Sequence, residues 1–349
     1  MAHDRIRIGF VGAGSIARQR HLPGLAQLEG VEVVAVCNRS TESGNTVAEE
    51  FGIAEVADDW RKLVEKPDID ALFIGTWPYT HRDMSVAALQ AGKHVFCQAR
   101  MAMELAEARE MVEASRARPD LVAMICPPPH RMPFEPYIKE LIAQGRLGKI
   151  ELVEVRSLSG ANLDAASFTW REDVAKSGKQ VLAAGIYAET INAWLGPYEE
   201  LLAYTATPIR EKTGPDGKRV AVHIPQIVTV SGRLQSGALV TEQHSGVSAD
   251  HAQEIVIRGR KGSLRRRFNG DVLELALPGG EFEPVDVPAA NLRPWRVEEE
   301  FIDAVRAARR GESWSVSPDF EEGLMYMRKI EAIHESARTG AVVRPEELR

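Results

Sequence analysis

Gly12, Gly14 and Ala17 stand in G-x-G-x-x-A spacing within IGFVGAGSIARQRHL, after an apolar run and before a helical one. Gly12 permits a tight turn, Gly14 lets the backbone approach a pyrophosphate, and the small Ala17 allows close packing of helix on strand. The helix that opens at Ser15 and Ile16 offers unpaired N–H groups to phosphates. The pattern predicts a dinucleotide site. The next apolar run closes in VCNRS, where an acidic side chain usually holds the ribose 2′-hydroxyl. Asn38 stands there instead, and a neutral amide neither repels nor requires a 2′-phosphate. Arg39 could stack on adenine or pair with that phosphate, and Ser40 could donate to it. Alternatively, Ser40 is a helix N-cap and Arg39 a solvated charge. The cofactor is read as NADP or NAD, with NADP favoured because the acid is gone.

These residues need a scaffold, and the order of elements supplies one. IRIGFVG, VEVVAVC, IDALFIG, KHVFC and LVAMIC are apolar strand candidates separated by amphipathic stretches such as HRDMSVAALQAGK. Near-continuous apolar strands alternating with helices predict a parallel, doubly wound sheet covered on both faces. The prolines of CPPPHRMP interrupt the pattern, giving predicted domains 1–126 and 127–349. Beyond them a helix, FEPYIKELIAQGRLG, leads into alternating runs from IELVEVRSL to FEPVDVP, the signature of an open, mainly antiparallel sheet in an α+β domain. Helices around VEEEFIDAVRAARRG and FEEGLMYMRKIEAIHESARTG close the chain, and the last helices could pack back on the first domain.

Composition narrows the partners. A net charge of −7 gives no basic field for a nucleic acid backbone. The one basic run, Arg265 to Arg267, reads as a solvated or dimer-edge face. Cys37, Cys97 and Cys126 form no C-x-x-C pair and read as buried reduced thiols. No apolar run reaches membrane length, and the expected location is the cytoplasm. Histidines 130, 223, 244 and 251 show no metal-ligand spacing, so no metal is expected. His244 with Glu242 alternates onto one strand face, as decoration or as part of a substrate face.

Together with GTWPYTHRDMSVAALQAGKHVFC, QGRLGKI, AGIYAETINAWLG and AIHESARTGAVV, these features resemble the Gfo/Idh/MocA oxidoreductase family, named for glucose-fructose oxidoreductase and inositol dehydrogenase. The resemblance runs nearly end to end. It implies a Rossmann domain, a second domain whose open sheet mediates oligomerisation as a dimer or tetramer, and hydride transfer between nicotinamide and a sugar, cyclitol or related hydroxyl compound. By position it places Thr76, Pro78 and His81 beside the nicotinamide ribose, with Gln98 close by. His81 has an alternative role as a first-turn helix residue.

The same resemblance exposes departures in both of the family's catalytic motifs. Gln98, Ala99 and Arg100 match the family's Glu-Lys-Pro triplet, so the lysine that orients the carbinol and relays a proton is missing. Ala183, Tyr187 and Thr190 stand at the family's aspartate, histidine and aspartate positions. Hydride transfer at a hydroxyl carbon still needs a proton donor or acceptor within about 3 Å of the oxygen. Tyr187 is the candidate, with Lys179 as a cation that could lower its pKa. Arg100, Trp170 and Arg171 are candidate substrate residues, the arginines suited to clamp a carboxylate or phosphate. Tyr187 could instead only fill space. The expected function is an NAD(P)-dependent oxidoreductase with a non-standard acid/base set. The alternatives are a redox-neutral enzyme that uses its cofactor transiently, and a non-catalytic dinucleotide sensor or structural subunit.

Overall fold

The computed structural model describes residues 5–163, 168–179 and 181–348. They form two compact units, one comprising the chain through Pro127 with Arg296–Leu324, the other Pro128–Trp295 with the chain from Met325.

The first unit is built on strands Ile6–Val11 (β1), Val31–Cys37 (β2), Glu55–Ala57 (β3), Ala71–Ile74 (β4), His94–Cys97 (β5) and Ala123–Ile125 (β6). They pair in parallel in the order β3-β2-β1-β4-β5-β6. Helices Leu22–Ala26 (α1), Thr41–Phe51 (α2), Trp60–Glu65 (α3), His81–Gln90 (α4) and Leu105–Arg116 (α5) connect them, α1 continuing a π-helical turn over Ala17–His21. Chain order reverses between β1 and β4, and in such sheets ligands bind beyond the carboxyl ends of the strands at that point. β3 is a strand that the apolar pattern did not reveal, since EVA is too short to show a period.

The second unit holds strands Ile150–Leu158 (β7), Tyr198–Ala206 (β8), Glu211–Thr213 (β9), Arg219–Ala221 (β10), Ile227–Leu234 (β11), Leu239–Ser245 (β12), Ala252–Gly259 (β13), Ser263–Arg267 (β14), Val272–Ala276 (β15) and Glu283–Pro284 (β16). Eight of them form a sheet ordered β16-β15-β14-β13-β7-β12-β11-β8, antiparallel except between β7 and β12, while β9 and β10 form a separate hairpin. Alternation divides the faces. Val228, Val230, Val240, Ile255 and Ile257 are buried with Tyr187, Ile191, Ile330 and Ile333, while Tyr204 and Leu239 on the opposite face are 65% and 51% exposed. The helices of this unit are Glu135–Ala143 (α6), Val174–Ser177 (α7) and Ala184–Leu195 (α8). Val297–Arg309 (α9) returns to the first unit, and Phe320–Thr339 (α10) belongs to the second from Met325 onward.

The basic run on β14 corrects its sequence reading. Strand alternation turns Arg266 to the covered face, where it is 1% exposed. Its guanidinium lies over Phe134 and Phe268 and donates to Asp271 and the Met132 carbonyl. Only its neighbours Arg265 and Arg267 reach the partly exposed side, both pairing with Glu274. All three cysteines are buried thiols outside any disulfide, and burial pushes the Cys37 thiol up to about 11 and that of Cys97 to about 12. Among the described residues no helix is long and apolar enough to cross a membrane.

Candidate dinucleotide site and the Tyr187 cluster

The parallel register brings the carboxyl ends of β1, β2, β4 and β5 to one edge, and the residues that follow them are Gly12, Asn38, Gly75 and Gln98. Gly12 has φ +80°, and a Cβ there would lie 2.5 Å from Thr76 Cγ2 and 2.6 Å from the Thr76 nitrogen. The turn can close on the β4 loop only because that position has no side chain. Gly14 differs: a Cβ would meet nothing within 4 Å. It opens onto a cleft of about 420 Å³ lined by Ala13, Ser15, Arg18, Gln19 and Glu50. Gly14, Ser15 and Ile16 are exposed at the start of the helical stretch, and Ala17 is buried against the sheet. A backbone that can be approached closely, beside the start of a helix, fits a dinucleotide pyrophosphate.

The β2 end is more structural than the sequence suggests. Asn38 Oδ1 accepts from the Ala13 N–H at 2.7 Å, and its Nδ2 donates to the Ser43 carbonyl at 3.2 Å. The amide thus ties the glycine turn to α2. Ser40 is the α2 N-cap, its hydroxyl accepting from the Ser43 N–H at 3.3 Å. Arg39 is exposed, with its guanidinium 5.4 Å from the Trp77 ring centroid. Trp77 lies within the GTWPYTH stretch that carries the family resemblance, which assigns it no role of its own.

On the β4 loop, Thr76 Oγ1 lies 2.7 Å from Thr80 Oγ1 and Pro78 is buried at the start of a single 3₁₀ turn. His81 is fully buried, its Nδ1 2.7 Å from the Arg100 carbonyl and its Nε2 3.1 Å from the Thr76 carbonyl. Burial lowers its pKa, against hydrogen bonds to the Thr76 and Arg100 carbonyls that favour the protonated ring. Both ring nitrogens face main-chain carbonyls of the β4 and β5 loops. Gln98 is half-buried, its side chain reaching His21 at 2.8 Å. The Ala99–Arg100 peptide is cis.

In the second unit Tyr187 lies on α8, fully buried, with its hydroxyl donating to Gln253 Oε1 at 3.3 Å. His130 and His244 pack on its ring at 5.1 and 5.5 Å between centroids, and Phe268 at 5.7 Å. Burial, together with the carboxylates of Glu254 and Glu242, pushes the phenol well above its ordinary value, against a hydrogen bond with Ser157. Lys179 is placed elsewhere: its ammonium pairs with Glu331 at 2.6 Å and is partly exposed. Thr190 is buried and donates to the Ile186 carbonyl at 2.8 Å, within its own helix.

Trp170 is half-buried and Arg171 exposed, the guanidinium 4.6 Å from the indole centroid. The buried Lys212–Glu172 pair at 2.9 Å pins this stretch to the β9–β10 hairpin, helped by the Thr169 N–H donating to Glu172 at 3.1 Å. Glu242 and His244, read from the strand as decoration or substrate face, lie on the covered face. Glu242 takes Lys329 at 2.5 Å, His244 at 2.8 Å and the Tyr198 hydroxyl. Among the described residues no group of three potential ligands could hold a metal ion.

Comparison with known proteins agrees with this architecture. Over 146 residues the chain is 36% identical to 1,5-anhydro-D-fructose reductase of Ensifer adhaerens, an alignment spanning 41% of this chain and only 42% of that relative. It is 24% identical to levoglucosan dehydrogenase of Pseudarthrobacter phenanthrenivorans over 96% of each chain. A solved structure of levoglucosan dehydrogenase in complex with NADH and L-sorbose superposes with a TM-score of 0.86 at 22% identity, covering 99% of this chain and 100% of that one, which establishes the fold. Residues 6–125 match the oxidoreductase family's NAD-binding Rossmann fold and residues 139–344 its C-terminal alpha/beta domain, so the chain belongs to the Gfo/Idh/MocA oxidoreductase family.

Proposed function

We propose that this protein is an NAD(P)-dependent oxidoreductase that transfers hydride between nicotinamide and a hydroxyl or carbonyl carbon of a sugar, cyclitol or related small molecule. The observation that carries the cofactor half is the open approach at Gly14 beside the helix start, on the carboxyl edge of a Rossmann sheet. The substrate class follows the relatives, whose names are those of sugar reductases and dehydrogenases. Asn38 and Ser40 are committed to the turn and the α2 cap, which leaves Arg39 to meet a 2′-phosphate. NADP is favoured on that ground, although the levoglucosan dehydrogenase complex holds NADH. The exposed sheet face bearing Tyr204 and Leu239 supports a homodimer or tetramer.

Tyr187 is the proton donor in this reading, suited to reduction because a phenol with a raised pKa holds its proton until an alkoxide forms. Arg100, Trp170 and Arg171 are the proposed substrate contacts. One observation favours a second reading: Ala99, Ala183 and Thr190 supply no acid or base at the family's lysine and two aspartate positions, and the Tyr187 phenol at its histidine position is buried on Gln253. A redox-neutral use of the cofactor, or a non-catalytic dinucleotide-binding role, accommodates that.

The deciding experiment titrates NADH and NADPH by fluorescence, then screens sugars, polyols and keto acids for absorbance change at the nicotinamide band. Turnover that Tyr187→Phe abolishes supports the dehydrogenase. Binding without turnover moves the assignment to the redox-neutral enzyme or the sensor, which product analysis separates.

A further inference from the structure

His21 is 1% exposed, and a buried imidazole must find partners for both nitrogens. Its ring sits edge-on to Phe96 and Phe73, at 5.3 and 6.4 Å between centroids. Nδ1 lies 2.5 Å from Glu298 Oε1, a carboxylate that is itself buried at the first turn of α9. Nε2 lies 2.8 Å from the side-chain Nε2 of Gln98. The other end of that amide, Oε1, accepts from the Ala99 N–H at 3.0 Å.

Donor and acceptor accounting leaves one consistent arrangement. A main-chain N–H can only donate, so Gln98 must turn its oxygen to Ala99 and its NH₂ to His21. His21 Nε2 is then an acceptor, and the proton of the neutral ring sits on Nδ1, where the Glu298 carboxylate receives it. Turning the amide over would set NH₂ against the Ala99 N–H, donor against donor. The chain Glu298–His21–Gln98–Ala99 thus has a fixed direction. One N–H and one lone pair of the Gln98 amide remain for a ligand.

We propose that His21 and Glu298 are positioning residues. They hold the Gln98 amide, and through Ala99 the loop after β5, in the one orientation that presents a donor and an acceptor to the hydroxyls of the nicotinamide ribose. This rests on the cofactor reading given above. It also explains why residue 98 is an amide. A carboxylate cannot donate to His21 Nε2, so the ring would have to carry a second proton between Glu298 and residue 98.

The test uses the full-length protein labelled with ¹⁵N-histidine and long-range ¹H–¹⁵N correlation, the His21 signal being assigned by its loss in His21→Gln. The expected signature, without cofactor, is a neutral ring protonated at Nδ1, becoming doubly protonated in Gln98→Glu. A ring protonated at Nε2 overturns the hydrogen-bond chain. NADH titrations then read its purpose. Gln98→Leu and Glu298→Leu should each weaken binding about tenfold, the worth of one hydrogen bond. Glu298→Gln, which still accepts from Nδ1, should restore it. The double variant should be no weaker than either single one, because Glu298 acts through Gln98. Additive losses overturn the positioning role. Wild-type protein that binds neither NADH nor NADPH sinks the cofactor reading and the ribose contact with it, whereas the tautomer still decides the hydrogen-bond chain.

Discussion

Gly12 and Gly14 are two residues apart, and the absent side chain serves a different purpose at each. At Gly12 the backbone is left-handed and Thr76 fills the space, so Gly12→Ala strains the turn and pushes the β4 loop away. The expected loss is on the order of 2 kcal/mol, read as a lower midpoint in urea. At Gly14 the surroundings are empty and φ is not positive. Gly14→Ala should therefore change stability by no more than about 0.5 kcal/mol. A methyl group there obstructs a pyrophosphate, however, and NADH affinity should fall about tenfold or more, roughly the loss of one hydrogen bond. A Gly14→Ala protein that keeps its affinity would move the phosphates away from this turn. The spacing of these glycines was visible in the sequence because the turn needs them locally. What Asn38, His81 and Lys179 do was not, because their partners Ala13, Arg100 and Glu331 lie 25, 19 and 152 positions away. Residue type suggests chemistry, and only the fold decides whether a side chain is left over to perform it.

Elements were legible where a period had room to show itself. The apolar runs of β1, β2, β4 and β5 and the alternation of β11 and β12 fix sheet type and face, whereas β3 and the β9–β10 hairpin have three residues per strand and too little pattern to read. Alternation alone also predicts too little about polar residues. Glu242 and His244 share a phase with Val240 and are buried with it on β12, a placement that requires a partner from another element. α10 provides it through Lys329, 1% exposed, and β8 adds Tyr198. A buried ion pair contributes little relative to apolar packing, but removing one partner strands the other charge in a low-dielectric interior. Lys329→Met and Glu242→Gln are each expected to cost about 3–5 kcal/mol. The double variant should cost well under the sum, since neither unpaired charge remains. Urea melts of the four proteins check this, and full additivity would mean the residues act independently.

Across the whole molecule, burial lowers the pKa of His81, His94, His130 and His334, which makes stability depend on pH. Burial, reinforced by Arg309, lowers the pKa of His94 to about 4, and its Nδ1 accepts from the Val122 N–H at 2.9 Å, a bond that a protonated ring cannot make. Burial, reinforced by Arg266, lowers His130 to about 4, where it packs on Phe268 at 4.1 Å. In both cases the unfolded chain binds a proton near pH 6.5 that the folded chain refuses until about pH 4. Stability is therefore fully present above pH 6.5 and declines toward pH 4, by up to roughly 3 kcal/mol per histidine. Glu242 acts in a lower window. Burial raises its pKa, but Lys329 and His244 outweigh burial and hold it at about 2, so its contribution is lost only as pH falls from about 4.5 to 2. Glu107 and Asp319, raised by burial, gain stability as pH falls toward their ordinary values of 4.5 and 3.8, and so oppose the first decline. His94 belongs to the first unit and His130 to the second, so each unit should lose stability over the same pH range for its own reason. Calorimetry between pH 8 and 4 on the wild type and on His94→Gln separates them. Removing the titrating ring should lessen the pH dependence of the first unit, leaving the share of His81, and leave that of the second unchanged. An equal decline in both proteins would show that His94 is already protonated in the fold or that other groups dominate the slope.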